Sequence, residues 1–223
     1  MKTAPTILLG AGGHAKVVLD LLRLLDYHVL GVCDPEMVAR GISQWRGLPV
    51  LGTDEAVMQY SPESITLANG LGSVPGQQLK RRRLHERFTN LGYYFVTLVH
   101  PSVILGSDVE LGRGVQVMAG VIVQADTIVG DNVILNTGSR IDHDGLVGDH
   151  VHVAPGAVVS GNVAISEGCH IGPASVVIQS IKLAKDSVVG AGTTVLYDLP
   201  ENCQLTGQPP RPFVKIKREG DTV

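Results

Sequence analysis

From Val99 onward an aliphatic residue returns at every sixth position without a break. The seventeen positions from 99 to 195 in steps of six are all Val, Leu or Ile. Four positions after each comes a second set of mostly smaller residues, among them Val103, Thr127, Ser139, Gly145, Ala157, Cys169 and Ser175. A period of six with one bulky and one small inward position describes a short strand and a turn, and three such units close a triangular coil of eighteen residues. The sixteen hexads predict about five coils, and at about 4.8 Å per coil a prism about 25 Å tall. Residues 1–97 follow another rhythm. Ile7-Leu8-Leu9 is a short apolar run, Gly10-Ala11-Gly12-Gly13-His14-Ala15 a glycine turn, and Lys16 to Leu25 carries helical apolar spacing. Val29–Cys33, closed by Asp34-Pro35, and Ile65–Ala68, followed by Asn69-Gly70, add two strands. A basic helical stretch then runs through Lys80-Arg81-Arg82-Arg83. The chain therefore divides into a small parallel α/β, Rossmann-like domain over 1–97, a repeat domain over 98–196 and an irregular tail over 197–223.

Composition supports two globular domains and narrows the partners. Hydrophobic residues make up 44% and charged residues 17% of 223 residues, with a formal net charge of −3. That balance excludes a disordered chain and argues against nucleic acid as the main partner. Cys33, Cys169 and Cys203 are too few and too scattered for a disulfide framework, which fits a reducing compartment. The apolar run Thr6–Leu9 lacks the flanks of a signal peptide, and no stretch approaches the roughly 20 apolar residues of a membrane span. The expectation is a soluble, cytoplasmic protein with no membrane insertion.

Candidate chemistry falls in both halves. Gly10-x-Gly12-x-x-Ala15, after a strand and opening a helix, offers backbone N–H groups and a positive helix end to a phosphate, although a tight turn without ligand has the same pattern. Asp34, at the end of the second strand, suits a ribose hydroxyl or a nucleobase edge, or is an ordinary turn residue before Pro35. The domain is short for a complete dinucleotide fold, so a mononucleotide such as a nucleoside diphosphate sugar fits better than NAD. In the repeats, polar residues crowd Asn136-Thr137-Gly138-Ser139-Arg140-Ile141-Asp142-His143-Asp144, with His150 and His152 beyond. His143 is the second residue after inward Ile141, so it points outward from a turn with a carboxylate on each side in sequence. A carboxylate on one ring nitrogen fixes the tautomer and raises the basicity of the other, as a general base requires. Sequence leaves open whether Asp142 or Asp144 is that partner, or whether the segment is a solvated turn. His152 and His170, eighteen residues apart, should stack in adjacent coils, a reason to weigh a zinc enzyme of the γ-type carbonic anhydrase kind. The histidine pair about five residues apart which that reading needs is missing from the repeats, so no metal is expected. Cys169 reads as core, and Lys80 to Arg83 as a solvated helix face.

These segments resemble the bacterial sugar acyltransferase family that includes sialic acid O-acetyltransferases and N-acetyltransferases of nucleotide-linked 4-amino-4,6-dideoxy sugars. The resemblance rests on Gly10-Ala11-Gly12-Gly13-His14, Asp34, Leu67-Ala68-Asn69, Asn136-Thr137-Gly138-Ser139, Ile141-Asp142-His143-Asp144, Gly161-Asn162-Val163 and Gly207-x-Pro209-x-Arg211. It implies that the repeats form a left-handed parallel β-helix and that the protein is a homotrimer. It further implies a nucleotide-linked amino sugar in the N-terminal domain and acetyl-CoA along the prism between neighbouring subunits. By this resemblance His143 is the base and Asp144, where some relatives carry Glu, its polarising partner. Asn136 and His152 lie near the acetyl group, and Pro173 and Ala191 match CoA-contacting positions. Gly12, Gly13, His14, Asp34 and Ala68 match positions that hold the nucleotide sugar. The expected reaction is direct N-acetylation of a UDP- or GDP-linked 4-amino-4,6-dideoxy sugar, with O-acetylation of a sialic acid as the alternative.

Overall fold

A computed structural model describes residues 4–75 and 78–207. The N-terminal domain runs β1 (Thr6–Leu9), α1 (Gly13–Leu24), β2 (Val29–Cys33), α2 (Pro35–Ala39), β3 (Gln44–Trp45), β4 (Leu48–Gly52), β5 (Thr66–Asn69) and α3 (Gln78–Asn90), with a 3₁₀ turn at Asp54–Gln59. Its five strands lie in the order β3-β4-β2-β1-β5, parallel except for the β3–β4 hairpin. Ile7, Leu8 and Leu9 are all fully buried because β1 is central and covered on both faces, which is why it reads as an unbroken apolar run. α1 buries Ala15, Val18, Leu19 and Leu22, the i, i+3, i+4, i+7 stripe of an amphipathic helix. The sequence reading of an all-parallel domain misses the hairpin. Its strands are two and five residues long and contain Pro49, so no alternation marks them.

The repeats form three parallel sheets, each rung two residues long. Sheet I carries the rungs beginning at Ile104, Ile122, Arg140, Val158, Val176 and Thr194, and sheet II those at Glu110, Ile128, Leu146, Ala164 and Lys182. Sheet III carries those at Leu98, Gln116, Ile134, His152, His170, Val188 and Gln204. The chain visits I, II and III in turn, so every rung up to Thr194 pairs with the one eighteen residues away, as Ile122 with Arg140 and His152 with His170. The last rung, Gln204–Leu205, pairs with Val188–Val189, so the expected irregular tail contains one more turn of sheet III; Pro209 and Arg211 lie outside the described residues. The second residue of each rung points inward and, from Val117 to Val195, is buried in one continuous core. Such burial stabilises by about 1.5–3 kcal/mol per aliphatic side chain before the entropy of ordering the chain is counted. Corners need a residue in the left-handed region, and Asp108, Asp126, Asn132, Asp144, Asn162 and Asp186 supply it alongside glycines. Asp and Asn tolerate that conformation better than other side-chain-bearing residues.

The N-terminal domain covers sheet III. From Leu98 through Gln116, Ile134 and His152 to His170 its outward residues are buried, while at the top Val188 is half-buried and Gln204 exposed; outward Ile104 on sheet I and Ile128 and Leu146 on sheet II are 59, 47 and 51% exposed. Polar contacts fix the docking: His14 Nε2 meets Gln116 Oε1 at 2.8 Å, Gln116 Nε2 donates to Asn69 O at 2.7 Å, and Arg82 pairs with Glu167.

Candidate active site

His143 stands on the edge between sheets I and II, the edge opposite the covered sheet III. Its Nδ1 donates to Asp144 Oδ2 at 2.7 Å, while Asp142 Oδ1 accepts the backbone N–H of His143 at 2.9 Å. The two flanking carboxylates thus have different jobs: Asp144 holds the ring and Asp142 holds the turn. With Nδ1 committed, Nε2 keeps its lone pair for solvent or substrate. The hydrogen bond to Asp144, aided by the charges of Asp142 and Asp144, raises the pKa of His143 above the ordinary imidazole value despite some desolvation. Asp144 achieves this from a left-handed backbone, φ +56°.

On sheet III the histidines are of another kind. His152 Nδ1 donates to Ser73 O at 2.6 Å, and Asn136 Nδ2 donates to its Nε2 at 3.1 Å. Both ring nitrogens are used, and burial, with the neighbouring His170, lowers the His152 pKa to about 3. His152 is a neutral strut that pins the segment after β5 to the prism, and no lone pair remains for proton transfer. The His170 ring lies edge-on to it with centroids 4.9 Å apart, its own pKa lowered to about 4 by burial. Among the described residues no three His, Cys, Asp or Glu side chains form a metal cluster. His152, Pro173 and Ala191 do come together, with Ser73, Pro75 and Gly190, in a groove of about 390 Å³, and Asn136 joins it only through His152.

A second cavity, about 520 Å³, opens at the C-terminal ends of the parallel strands, where open α/β sheets hold their ligands. Gly10, Asp34, Asp54 and Leu71 line one side and Lys80, Arg83 and Arg87 of α3 the other. Asp34 uses both oxygens within the chain: Oδ2 accepts from Ala11 N and Oδ1 from Met37 N, each at 2.8 Å, so it ties the glycine turn to the start of α2. Gly10, at φ +92° and with Leu71 Cδ2 2.8 Å from where a Cβ would sit, is the glycine this turn cannot exchange. Gly12 and Gly13 have open space instead, which leaves the first turn of α1 accessible to a ligand. Of the other residues matched to the nucleotide sugar, His14 contacts Gln116, its pKa lowered to about 4 mainly by burial, and Ala68 is buried in the core of the N-terminal domain. The basic run is only in part a solvated face. Arg81 is buried and donates to Asn69 O and Leu71 O, and Lys80 and Arg83 face the cavity. Lys80, Arg83 and Arg87 recur at i, i+3, i+7, one helix face, which is the signal the sequence held for them.

Residues 6–88 match the family model described as the PglD N-terminal domain, and residues 108–143 the bacterial transferase hexapeptide model of six repeats. PerB from Caulobacter crescentus, solved with CoA and GDP-perosamine, is 33% identical over 92% of this chain and 94% of its own, with a TM-score of 0.83. The chain belongs to the PglD-type family of hexapeptide-repeat sugar N-acetyltransferases. The acetyltransferase domain of PglB from Neisseria gonorrhoeae, also solved with acetyl coenzyme A, is 32% identical over 95% of this PglD-type chain and 100% of that domain, TM-score 0.83. UDP-N-acetylbacillosamine N-acetyltransferase of Bacillus subtilis (strain 168) is 34% identical over 114 residues, half the length of each protein. In this PglD-type fold the three sheets are those of a left-handed β-helix.

Proposed function

We propose that this protein transfers the acetyl group of acetyl-CoA to the amino group of a nucleotide-linked 4-amino-4,6-dideoxy sugar, in an active site shared between subunits of a homotrimer. One observation carries the reading: the polarised His143 faces outward on the edge opposite sheet III, while the basic cavity of the N-terminal domain belongs to the part of the chain packed over sheet III. Base and sugar meet only when another copy supplies one of them. The exposed aliphatic residues on sheets I and II, Ile104, Ile128 and Leu146, support such packing of prism on prism.

In this reading residues 1–97 hold the nucleotide sugar, its phosphates facing Lys80, Arg83 and Arg87 and the open start of α1. Residues 98–196 bear His143 and the groove of His152, Pro173 and Ala191, which suits the arm of CoA. The sugar amine attacks the thioester carbon, and His143 Nε2 takes the proton as the C–N bond forms. The C–S bond then breaks, and CoA leaves as thiolate. Cys33 and Cys169 are buried, with thiol pKa values pushed up, to about 12 for Cys33, and neither is paired with a base, which supports direct transfer without an acyl-enzyme. Three free cysteines support a cytoplasmic setting, and among the described residues no helix is long and apolar enough to cross a membrane.

The test is thiol release from acetyl-CoA with a panel of UDP- and GDP-linked 4-amino sugars and free sialic acid, with product masses measured. Turnover with one amino sugar and a mass gain of one acetyl group is expected. Turnover with sialic acid alone overturns the amine in favour of a hydroxyl acceptor.

A further inference from the structure

The first turn residue of the edge between sheets I and II is, from the lowest coil upward, Ser107, Ala125, His143, Gly161 and Gln179. Four of the five carry a Cβ, so the turn itself does not require glycine. Gly161 is also not in the left-handed region, unlike the glycines that close other corners. Its reason lies one coil below. A Cβ on Gly161 would stand 2.7 Å from both Cε1 and Nε2 of His143 and 3.2 Å from Nδ1, so the imidazole lies broadside against this α-carbon. Ordinary van der Waals contact would require the ring to retreat by about 0.7 Å.

We infer that Gly161 is a positioning residue for His143: the missing side chain is the seat on which the ring rests while Asp144 holds it from the side. The inference rests on the reading of His143 as the base. Between them the two neighbours fix the ring in different ways. Asp144 sets the tautomer and one hydrogen-bond direction at 2.7 Å, and the Gly161 backbone sets how far inward the ring can lie along the edge. The half-exposed His143 has no other side-chain hydrogen bond among the described residues to restore its place. Any side chain at 161 pushes the ring outward, lengthens its bond to Asp144 and carries Nε2 away from the line of the proton it takes. A misplacement on the order of 1 Å costs about 100-fold in rate.

Gly161→Ala tests this, because alanine is compatible with the backbone and the collision falls on a movable ring. The expected result is a native melting temperature and oligomeric state, kcat lowered about 100-fold, and KM for both substrates within twofold of native. The acid limb of the kcat/KM profile should move to lower pH as the Asp144 bond lengthens. A native kcat, or a lowered kcat with the acid limb unmoved, overturns the positioning role. His143→Ala run beside it separates the two ideas: native turnover there removes the base reading itself, whereas loss there with a native Gly161→Ala removes only the role of Gly161.

Discussion

At the scale of single residues, the same side chain serves opposite ends according to what surrounds it. His143 and His152 are nine residues apart, yet one is exposed with its pKa raised by a carboxylate and the other is buried with its pKa lowered to about 3. Replacing His143 by Ala should lower acetyl transfer by roughly 10²–10⁴-fold, the usual worth of a general base, with the oligomeric state unchanged by light scattering. Asp144→Ala removes the main cause of the raised pKa, so the acid limb of the pH–rate profile should move to lower pH while the maximal rate falls, the tautomer being no longer fixed. A profile unmoved in that variant would assign the polarising role to Asp142. The outward position of His143 follows from the six-residue period alone. The choice between Asp142 and Asp144 does not, since both flank it in sequence and only the backbone turn decides which oxygen reaches the ring.

At the scale of elements, the ends of strands and helices do most of the positioning. Asp34 caps α2 and anchors Ala11 in the glycine turn. Asp34→Ala should cost about 1 kcal/mol through the cap, seen as a fall of roughly 2–4 °C in melting temperature, and weaken sugar-nucleotide binding by loosening the turn. Asp34→Asn keeps one acceptor but sets an NH2 donor against the other backbone N–H, so it should recover the cap on Met37 N or the anchor on Ala11 N, not both. The helix α3 presents Arg83 and Arg87 to the cavity, so their replacement by Ala should raise KM for the sugar nucleotide in a salt-dependent way and leave kcat nearly unchanged. The prism from Leu98 to Val195 was legible in the sequence because its contacts repeat at a fixed separation of eighteen residues; the last rung, Gln204–Leu205, pairs at sixteen and was not. The burial of Arg81 and the docking of His14 on Gln116, 102 residues away, were not, because those contacts join segments with no shared period. The β3–β4 hairpin escaped for a related reason: short strands around a proline are held by their neighbour β2 and not by their own pattern.

At the scale of the whole molecule, the packing of domain on prism includes several histidines kept neutral. His14, His170 and His85, which lies on α3 with its ring 5.6 Å from that of His150 of the prism, have pKa values lowered to about 4 and His152 to about 3, each chiefly by burial. The unfolded chain takes up these protons near pH 6.5, the folded one only near pH 4 or below. Their contribution to stability is therefore full above pH 6.5 and lost as pH falls toward 4. Melting temperature should drop across that window, and His152→Gln should flatten the slope while disturbing the hold on Ser73. A slope unchanged in that variant would assign the acid sensitivity to His14, His85 and His170 or to carboxylates elsewhere. Leu146→Asp, on the uncovered sheet II, should yield monomers without turnover; a trimer in light scattering would move the contact to another face.

The winding of the repeats also limits how such a chain can change in length. One full circuit of I, II and III takes eighteen residues, so a whole circuit inserted above His143 leaves every later side chain facing as before and only heightens the column. An insertion of six residues instead advances everything after it by one face, turning buried outward positions of sheet III toward solvent and apolar ones toward the domain. Viable relatives of different height should therefore differ by whole circuits, as a staircase is lengthened by complete flights.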